Sequence, residues 1–319
     1  MARDGGEAQQ TINNGSTGPD MAPEDWRIAP FPFKPLKHNS LIAPVARYVF
    51  GLRAREVERF IFTATTGRSG TLTLTKLFSA VPGCAAVHEP HPVMNGPVLE
   101  AATHGNTALV DRVYRQVKSV NILRAAAGHR YYLEANHQFI KTFWEHAIRE
   151  FGDRIAVVHL VRPAVEVAES IYCLEDYPGR ERGNYWWLDY RAPGNLIRIA
   201  DILESDPEFS HPFYKALWYW HEIEARVSGL RARMPAIKVT RFETAWLNDG
   251  KKVFGLLDEL EMRYDTSAIK AILGKREHTK DHQKTAALVP TLQAEQMARR
   301  FQDLLATRGL KEPDQAHGS

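Results

Sequence analysis

Three groups of residues in this chain combine side-chain type and spacing in ways suited to chemistry on an anion. The first begins with the apolar, β-prone run Phe60-Ile61-Phe62-Thr63-Ala64 and enters the small-residue turn Gly67-Arg68-Ser69-Gly70-Thr71. Leu72 and Leu74 then open a helical apolar pattern. A strand, a glycine turn and a helix start, in that order, aim backbone N–H groups and a helix N-terminus at one point, and Arg68 adds a full positive charge there. The expected ligand is a phosphate or sulfate ester. The turn does not have the G-x-x-x-x-G-K-[ST] form of a Walker A loop, because Thr71 and Leu72 follow Gly70 and the cation precedes it. An ordinary ATPase or GTPase is therefore disfavoured.

The second group lies on Ile155–Val161, a continuous apolar run that reads as a buried strand and ends at Arg162. Pro163 suits the first turn of a following helix. Ser170 falls about two helical turns further on, on a broadly similar face. A guanidinium and a hydroxyl converging at that strand end could hold a second phosphate.

The third group supplies acid–base candidates. A short strand over Ala85–Glu89 ends in His88-Glu89-Pro90-His91-Pro92. Glu89 is the favoured general base, with His88 and His91 as rivals. A carboxylate serves in that role when partial desolvation raises its pKa toward working pH. Glu134, Asn136 and His137 follow the strand at Arg130–Ala135 and are expected to orient an acceptor. Trp187, in the aromatic run Tyr185-Trp186-Trp187-Leu188-Asp189-Tyr190, is either an acceptor-stacking ring or a core residue.

These residues need a scaffold. Strands are expected at Arg59–Thr65, Ala85–Glu89, Arg130–Ala135, Ile155–Val161 and Ala236–Thr240. Helical stripes lie between them: Phe139, Phe143, Ala147 and Ile148, then Phe213, Leu217, Trp220, Val227 and Leu230. Alternating strands and helices predict an α/β fold, three layers (α/β/α) around a central parallel sheet, with ligands at the strand C-terminal ends. A last helix is expected near Thr291–Arg308, with Gly309 as its cap. Residues 1–25 read as a disordered leader, 26–57 as an N-terminal arm, 58–310 as one domain and 311–319 as a flexible tail.

Composition sets the limits. The chain has 319 residues, 44% hydrophobic and 25% charged, as in a soluble globular protein. A net charge of +3 gives no global field for nucleic acid. Two cysteines, Cys84 and Cys173, make neither a disulfide framework nor a metal set. No run reaches the roughly 18 apolar residues of a membrane span, and residues 1–25 lack a signal pattern. A cytoplasmic enzyme is expected, without metal, nucleic-acid or membrane partners.

Taken in order, the motifs resemble those of the 3′-phosphoadenosine-5′-phosphosulfate (PAPS)-dependent sulfotransferases. The family's [KR]-S-G-T turn after a strand matches Arg68-Ser69-Gly70-Thr71. Its strand, arginine and serine eight positions on match Arg162 and Ser170. Its late Trp-rich helix, strand and acidic turn match Trp218, Trp220 and Lys238-Val239-Thr240-Arg241-Phe242-Glu243. The resemblance spans about residues 58–285. It implies a P-loop-NTPase-like sulfotransferase fold, with PAPS as donor and PAP as product. It also implies 5′-phosphosulfate binding by Gly67, Arg68, Ser69, Gly70, Thr71 and Leu72, and 3′-phosphate binding by Arg162 and Ser170. In the family the base is either a histidine before the arginine motif or a glutamate some way after the turn, and Glu89 matches the second; the implied reaction is in-line sulfuryl transfer to a hydroxyl or amine of a small-molecule or carbohydrate acceptor. Catalytic roles fall to Glu89, Arg68 and His88, and acceptor contacts to His91, Glu134, Asn136 and Trp187.

The chain departs from the cytosolic branch of that family. Leu72 and Thr73 stand where that branch has threonine and tryptophan, and its R-K-G-x-x-G-D-W segment is absent. The RSGT form is closer to bacterial and Golgi-type members. In place of the late segment stands Lys275–Lys284, a basic stretch that either closes over the nucleotide through Lys280 and Lys284 or is a solvated charged loop. The competing readings are a small-molecule P-loop kinase and a non-catalytic nucleotide-binding protein.

Overall fold

In a computed structural model, residues 41–273 and 289–310 are described, and they hold one parallel sheet. Its strands are β1 (Arg59–Ala64), β2 (Cys84–His88), β3 (Tyr131–Ala135), β4 (Ile155–Val161) and β5 (Lys238–Glu243). Their spatial order is β2-β3-β1-β4-β5. Every neighbouring pair is parallel, so all five C-terminal ends lie along one edge. The calls on residues 1–40, on Lys280 and Lys284, and on the tail 311–319 lie outside the described residues.

The helices follow in chain order. Before the sheet comes α1 (Ala43–Arg53), and after β1 comes α2 (Thr71–Ser79). Between β2 and β3 lie α3 (Pro97–Thr103), α4 (Thr107–Val113), a π-turn at Tyr114–Lys118 and α5 (Ser119–Ala126). After β3 a second π-turn, Phe139–Phe143, runs into α6 (Trp144–Phe151). Following β4 are α7 (Ala164–Tyr172), α8 (Glu181–Trp186), α9 (Ala200–Ser205) and the long α10 (Pro212–Arg233). The last are α11 (Gly250–Glu259), α12 (Thr266–Lys270) and α13 (Thr291–Thr307).

Alternation along the strands produces the three layers, because successive side chains leave a sheet on opposite faces. Phe60, Phe62 and Ala64 of β1, with Ile155 and Val157 of β4, enter one apolar cluster. Ile61, Val158 and Leu160 enter the other. The first is closed by α6, α7, α10 and α13; Phe62 stacks on Phe139 with ring centroids 4.9 Å apart. The second is closed by Leu74, Leu77 and Phe78 of α2 and by Val253, Leu256 and Leu257 of α11. A sheet covered on both faces needs continuous apolar strands, which is why β1 and β4 read so clearly.

The structure shifts some expected boundaries. β5 lies nearer the C-terminus than Ala236–Thr240, because its ladder with β4 runs from Ala156↔Lys238 to Val161↔Glu243. The expected arm contains α1, which packs against α5 and carries Arg47, bonded through Nε to Glu150 at 2.8 Å. Among the described residues no helix is long and apolar enough to cross a membrane.

Candidate active site

The first loop is built by its own glycines. Gly67 (φ +80°) and Gly70 (φ +82°) occupy left-handed conformations that cost a side chain free energy. A Cβ on Gly70 would come within 2.6 Å of Leu247 Cδ1, and one on Gly67 within 3.2 Å of the Trp187 ring. Arg68 also has positive φ, +55°. The N–H groups of Gly67, Arg68, Ser69 and Gly70 have no main-chain acceptor among the described residues. Gly70 caps α2 without a side-chain bond, so the positive end of that helix is also open to a ligand. The turn is braced from behind. Tyr219 Oη donates to Thr66 O at 2.7 Å, and Thr244 Oγ1 donates to Ser69 O at 2.8 Å. Ser69 itself is buried, its Oγ paired with Thr65 Oγ1, which leaves its backbone as the part able to meet a ligand.

The second group reaches the first. β4 lies beside β1, and Arg162 follows its last residue. Arg162 Nη1 donates to Arg68 O at 2.8 Å, and Arg68 Nε donates to Ser170 Oγ at 2.9 Å. Arg162 Nε also holds Glu166 at 2.9 Å, and Trp220 Nε1 anchors Arg162 O at 2.8 Å. Two guanidiniums and a hydroxyl from distant parts of the chain thus form one cationic cluster. Burial, then the charge of Arg162, lowers the Arg68 pKa, and Glu89 opposes the drop. An arginine remains charged under such a shift, and Glu166 is the one carboxylate bonded to the cluster among the described residues.

Glu89 follows β2, with φ +41° and its N–H bonded to Ala135 O at 3.1 Å. Burial raises its pKa above the ordinary carboxylate value, while His88, Lys141, Lys118 and Arg68 hold it down. His88 is exposed and turns toward the loop, its Nε2 3.0 Å from Thr71 Oγ1. His137 lies behind Glu89, with Nε2 3.5 Å from Oε1. Burial first, then Lys141, keeps His137 neutral by pulling its pKa well below the histidine norm.

Lys141 carried no role in the sequence reading, although a lysine inside Phe139-Ile140-Lys141-Thr142-Phe143 was a visible anomaly. Its Nζ lies 2.8 Å from His137 Nδ1, 2.8 Å from Trp186 O and 3.1 Å from Tyr219 Oη. Burial pulls the Lys141 pKa well below the lysine norm, the charge of Glu89 opposes that, and three acceptors surround its Nζ. With Nδ1 accepting from Lys141, the His137 proton sits on Nε2, facing Glu89.

Several expected acceptor contacts take other places. Glu134 is fully buried, with Oε1 2.5 Å from Lys118 Nζ and Oε2 accepting from Tyr132 Oη at 2.9 Å. Asn136, also fully buried, gives Nδ2 to Glu134 Oε1 at 2.8 Å and to Val93 O at 3.2 Å, and its Oδ1 accepts from Gln138 N. Both are fully buried and bonded to neighbouring groups inside the chain. Trp187 is buried against Gly67, with Lys141 Nζ 5.5 Å from its ring centre, and braces the turn rather than presenting a platform. His91 is exposed, and its carbonyl accepts from Asn121 Nδ2 at 2.8 Å. The Leu72 side chain is 46% exposed, which leaves only its backbone near the turn. Along α2 opens a cleft of about 340 Å³, lined by Thr73, Lys76, Leu77 and Ser79 of that helix and by Leu247, Asn248, Ile272 and Leu273. Among the described residues no cluster of His, Cys, Asp or Glu is placed to hold a metal.

No protein-family model matches the chain, and no curated protein matches it. It is similar to sulfotransferases of known structure. The sulfotransferase domain from the curacin biosynthetic pathway aligns over 81% of this chain and 99% of its own, at TM-score 0.45 and 12% identity. That of the Synechococcus PCC 7002 olefin synthase covers 76% and 94%, at 0.42 and 18%. Sulfotransferase STF1 from Mycobacterium tuberculosis H37Rv covers 83% of each chain, at 0.41 and 15%.

Proposed function

We propose that this chain is a PAPS-dependent sulfotransferase. One observation carries the reading: Arg68 and Ser170 touch at 2.9 Å while Arg162 closes on the Arg68 carbonyl at 2.8 Å. Two phosphate-binding motifs far apart in sequence thereby form one cluster on adjacent strands. A ligand with two phosphates on one nucleoside suits that cluster. The turn amides, Arg68 and the α2 N-terminus take the 5′ side; Arg162 and Ser170 take the 3′-phosphate.

The chemistry follows from charge. The acceptor oxygen or nitrogen forms a bond to sulfur as the bond from sulfur to the phosphate oxygen breaks in line. Negative charge then grows on that leaving oxygen. Arg68 and the turn amides meet it as fixed donors, the electrostatic stabilisation that usually contributes most. Glu89 takes the acceptor proton. Its raised pKa makes it a stronger base than an exposed glutamate, and it must be ionised to act, so transfer should rise with pH through that raised value. His137 Nε2 stands 3.5 Å from Glu89 Oε1, behind the carboxylate. The acceptor is a hydroxyl- or amine-bearing small molecule or carbohydrate, entering from the Glu89 side.

The test is transfer of label from isotope-labelled PAPS to a pool of phenolic, alcoholic and carbohydrate acceptors. Wild type should label at least one acceptor. Glu89→Gln should lose transfer while still binding PAP by calorimetry. Labelling from ATP with magnesium, and none from PAPS, would overturn the reading.

A further inference from the structure

The loop that carries Glu89 is held by side chains that sequence reading did not connect to it. Four consecutive carbonyls are engaged. Lys118 Nζ donates to Pro90 O at 3.2 Å and to Pro92 O at 3.0 Å. Asn121 Nδ2 donates to His91 O at 2.8 Å, and Asn136 Nδ2 to Val93 O at 3.2 Å. The third Lys118 proton goes to Glu134 Oε1 at 2.5 Å, and Glu134 in turn accepts from Tyr132 and Asn136. Lys118 and Glu134 both have no exposed surface.

Such a pair has no evident stability purpose, since apolar residues of equal volume often stabilise a core as well or better. It does have a positional one. Glu89 sits at φ +41°, a conformation that persists only when its surroundings enforce it. Lys118 ends the Tyr114–Lys118 π-turn, an insertion that re-aims a helix face and often marks functional sites. The geometry points to Lys118 and Glu134 as positioning residues that hold the 89–93 loop through its carbonyls and thereby keep the Glu89 carboxylate in its desolvated place beside Arg68. This rests on Glu89 being the base proposed above.

The test uses the full chain as Lys118→Met/Glu134→Gln, which removes both charges and keeps volume. Four readouts are taken: urea unfolding, hydrogen exchange of the 89–96 peptide, carbon-13 NMR titration of Glu89, and PAP calorimetry. The fold should persist and PAP affinity stay within about two-fold of wild type, because neither residue touches the cationic cluster. Exchange across 89–96 should quicken at least about ten-fold. Lys118 is itself one of the charges that hold the Glu89 pKa down, so the titration is read in Asn121→Ala, which removes no charge: there the midpoint should fall toward the ordinary value as the carboxylate reaches water. Sulfuryl transfer should drop in rate with donor KM unchanged. A folded double variant with wild-type exchange across 89–96 would overturn the inference. Asn121→Ala removes one carbonyl contact without disturbing the core, and serves if the double variant unfolds. Faster exchange in it supports the clamp, and unchanged exchange overturns it. Failure of wild type to bind PAP would instead sink the sulfotransferase reading while leaving the clamp measurable.

Discussion

At the scale of single residues, Arg68 has most to do. It is the only member of its turn with a charge, and its backbone carbonyl and Nε tie the two halves of the cluster together. Truncation to alanine removes a donor aimed at developing charge, so Arg68→Ala should lower sulfuryl transfer by about 100- to 1000-fold, measured with labelled donor at saturation. A loss under about three-fold would remove Arg68 from the chemistry. The turn was legible because glycine, arginine and small residues between a strand and a helix have a restricted set of uses. Lys118 and Lys141 were not legible as buried groups. A sequence gives a lysine's charge but not its surroundings, and a lysine is almost never fully buried unless paired. Glu134 and Asn136 stand at a strand end, as acceptor ligands would, and residue type does not show that both are fully buried.

At the scale of elements, the strand–turn–helix unit of β1, the loop and α2 depends on conformations open to glycine. Gly70→Ala meets both a positive φ and Leu247, which should cost on the order of 1–3 kcal/mol of stability by urea unfolding and also weaken PAP binding. Unchanged stability and affinity would mean that the turn is not held in this shape. The packing of α10 on α13 offers a cleaner electrostatic test. His221 is buried beside Phe301, its Nδ1 has no hydrogen-bond partner among the described residues, and burial pulls its pKa down to about 4. The unfolded histidine titrates near 6.5. Between those values the unfolded chain binds the extra proton, so this side chain costs stability as pH falls below about 6.5. His221→Phe should therefore gain on wild type by about 2 kcal/mol between pH 7 and pH 5. A pH-independent difference would refute the assignment. β1 and β4 were readable as strands to within a residue or so because they are apolar on both faces, and β3 because of its Tyr-Tyr-Leu run. β5 was displaced because its alternating burial gives a weaker edge-strand signal and its limits come from pairing with β4. The helices between β2 and β3, and α8 and α9 after β4, were not read, since short helices packed on one another lack a single long stripe, whereas α7 was announced by Pro163.

At the scale of the molecule, the strand order decides what can meet. Only the placement of β1 beside β4 brings the Arg68 turn and Arg162 together, and only β3 between β1 and β2 sets His137 against Glu89. The parallel three-layer class was readable from alternation of elements, but the order was not, because crossover direction leaves no mark in residue type. The central claim is that one nucleoside bridges both anion sites. Calorimetric titration with PAP, 5′-AMP and 3′-AMP, on wild type and on Arg162→Ala/Ser170→Ala, tests it directly. PAP should bind at least about 100-fold tighter than either monophosphate, and the double variant should weaken PAP by more than about ten-fold while leaving 5′-AMP unchanged. PAP binding no tighter than 5′-AMP, or indifferent to the loss of Arg162 and Ser170, would contradict it.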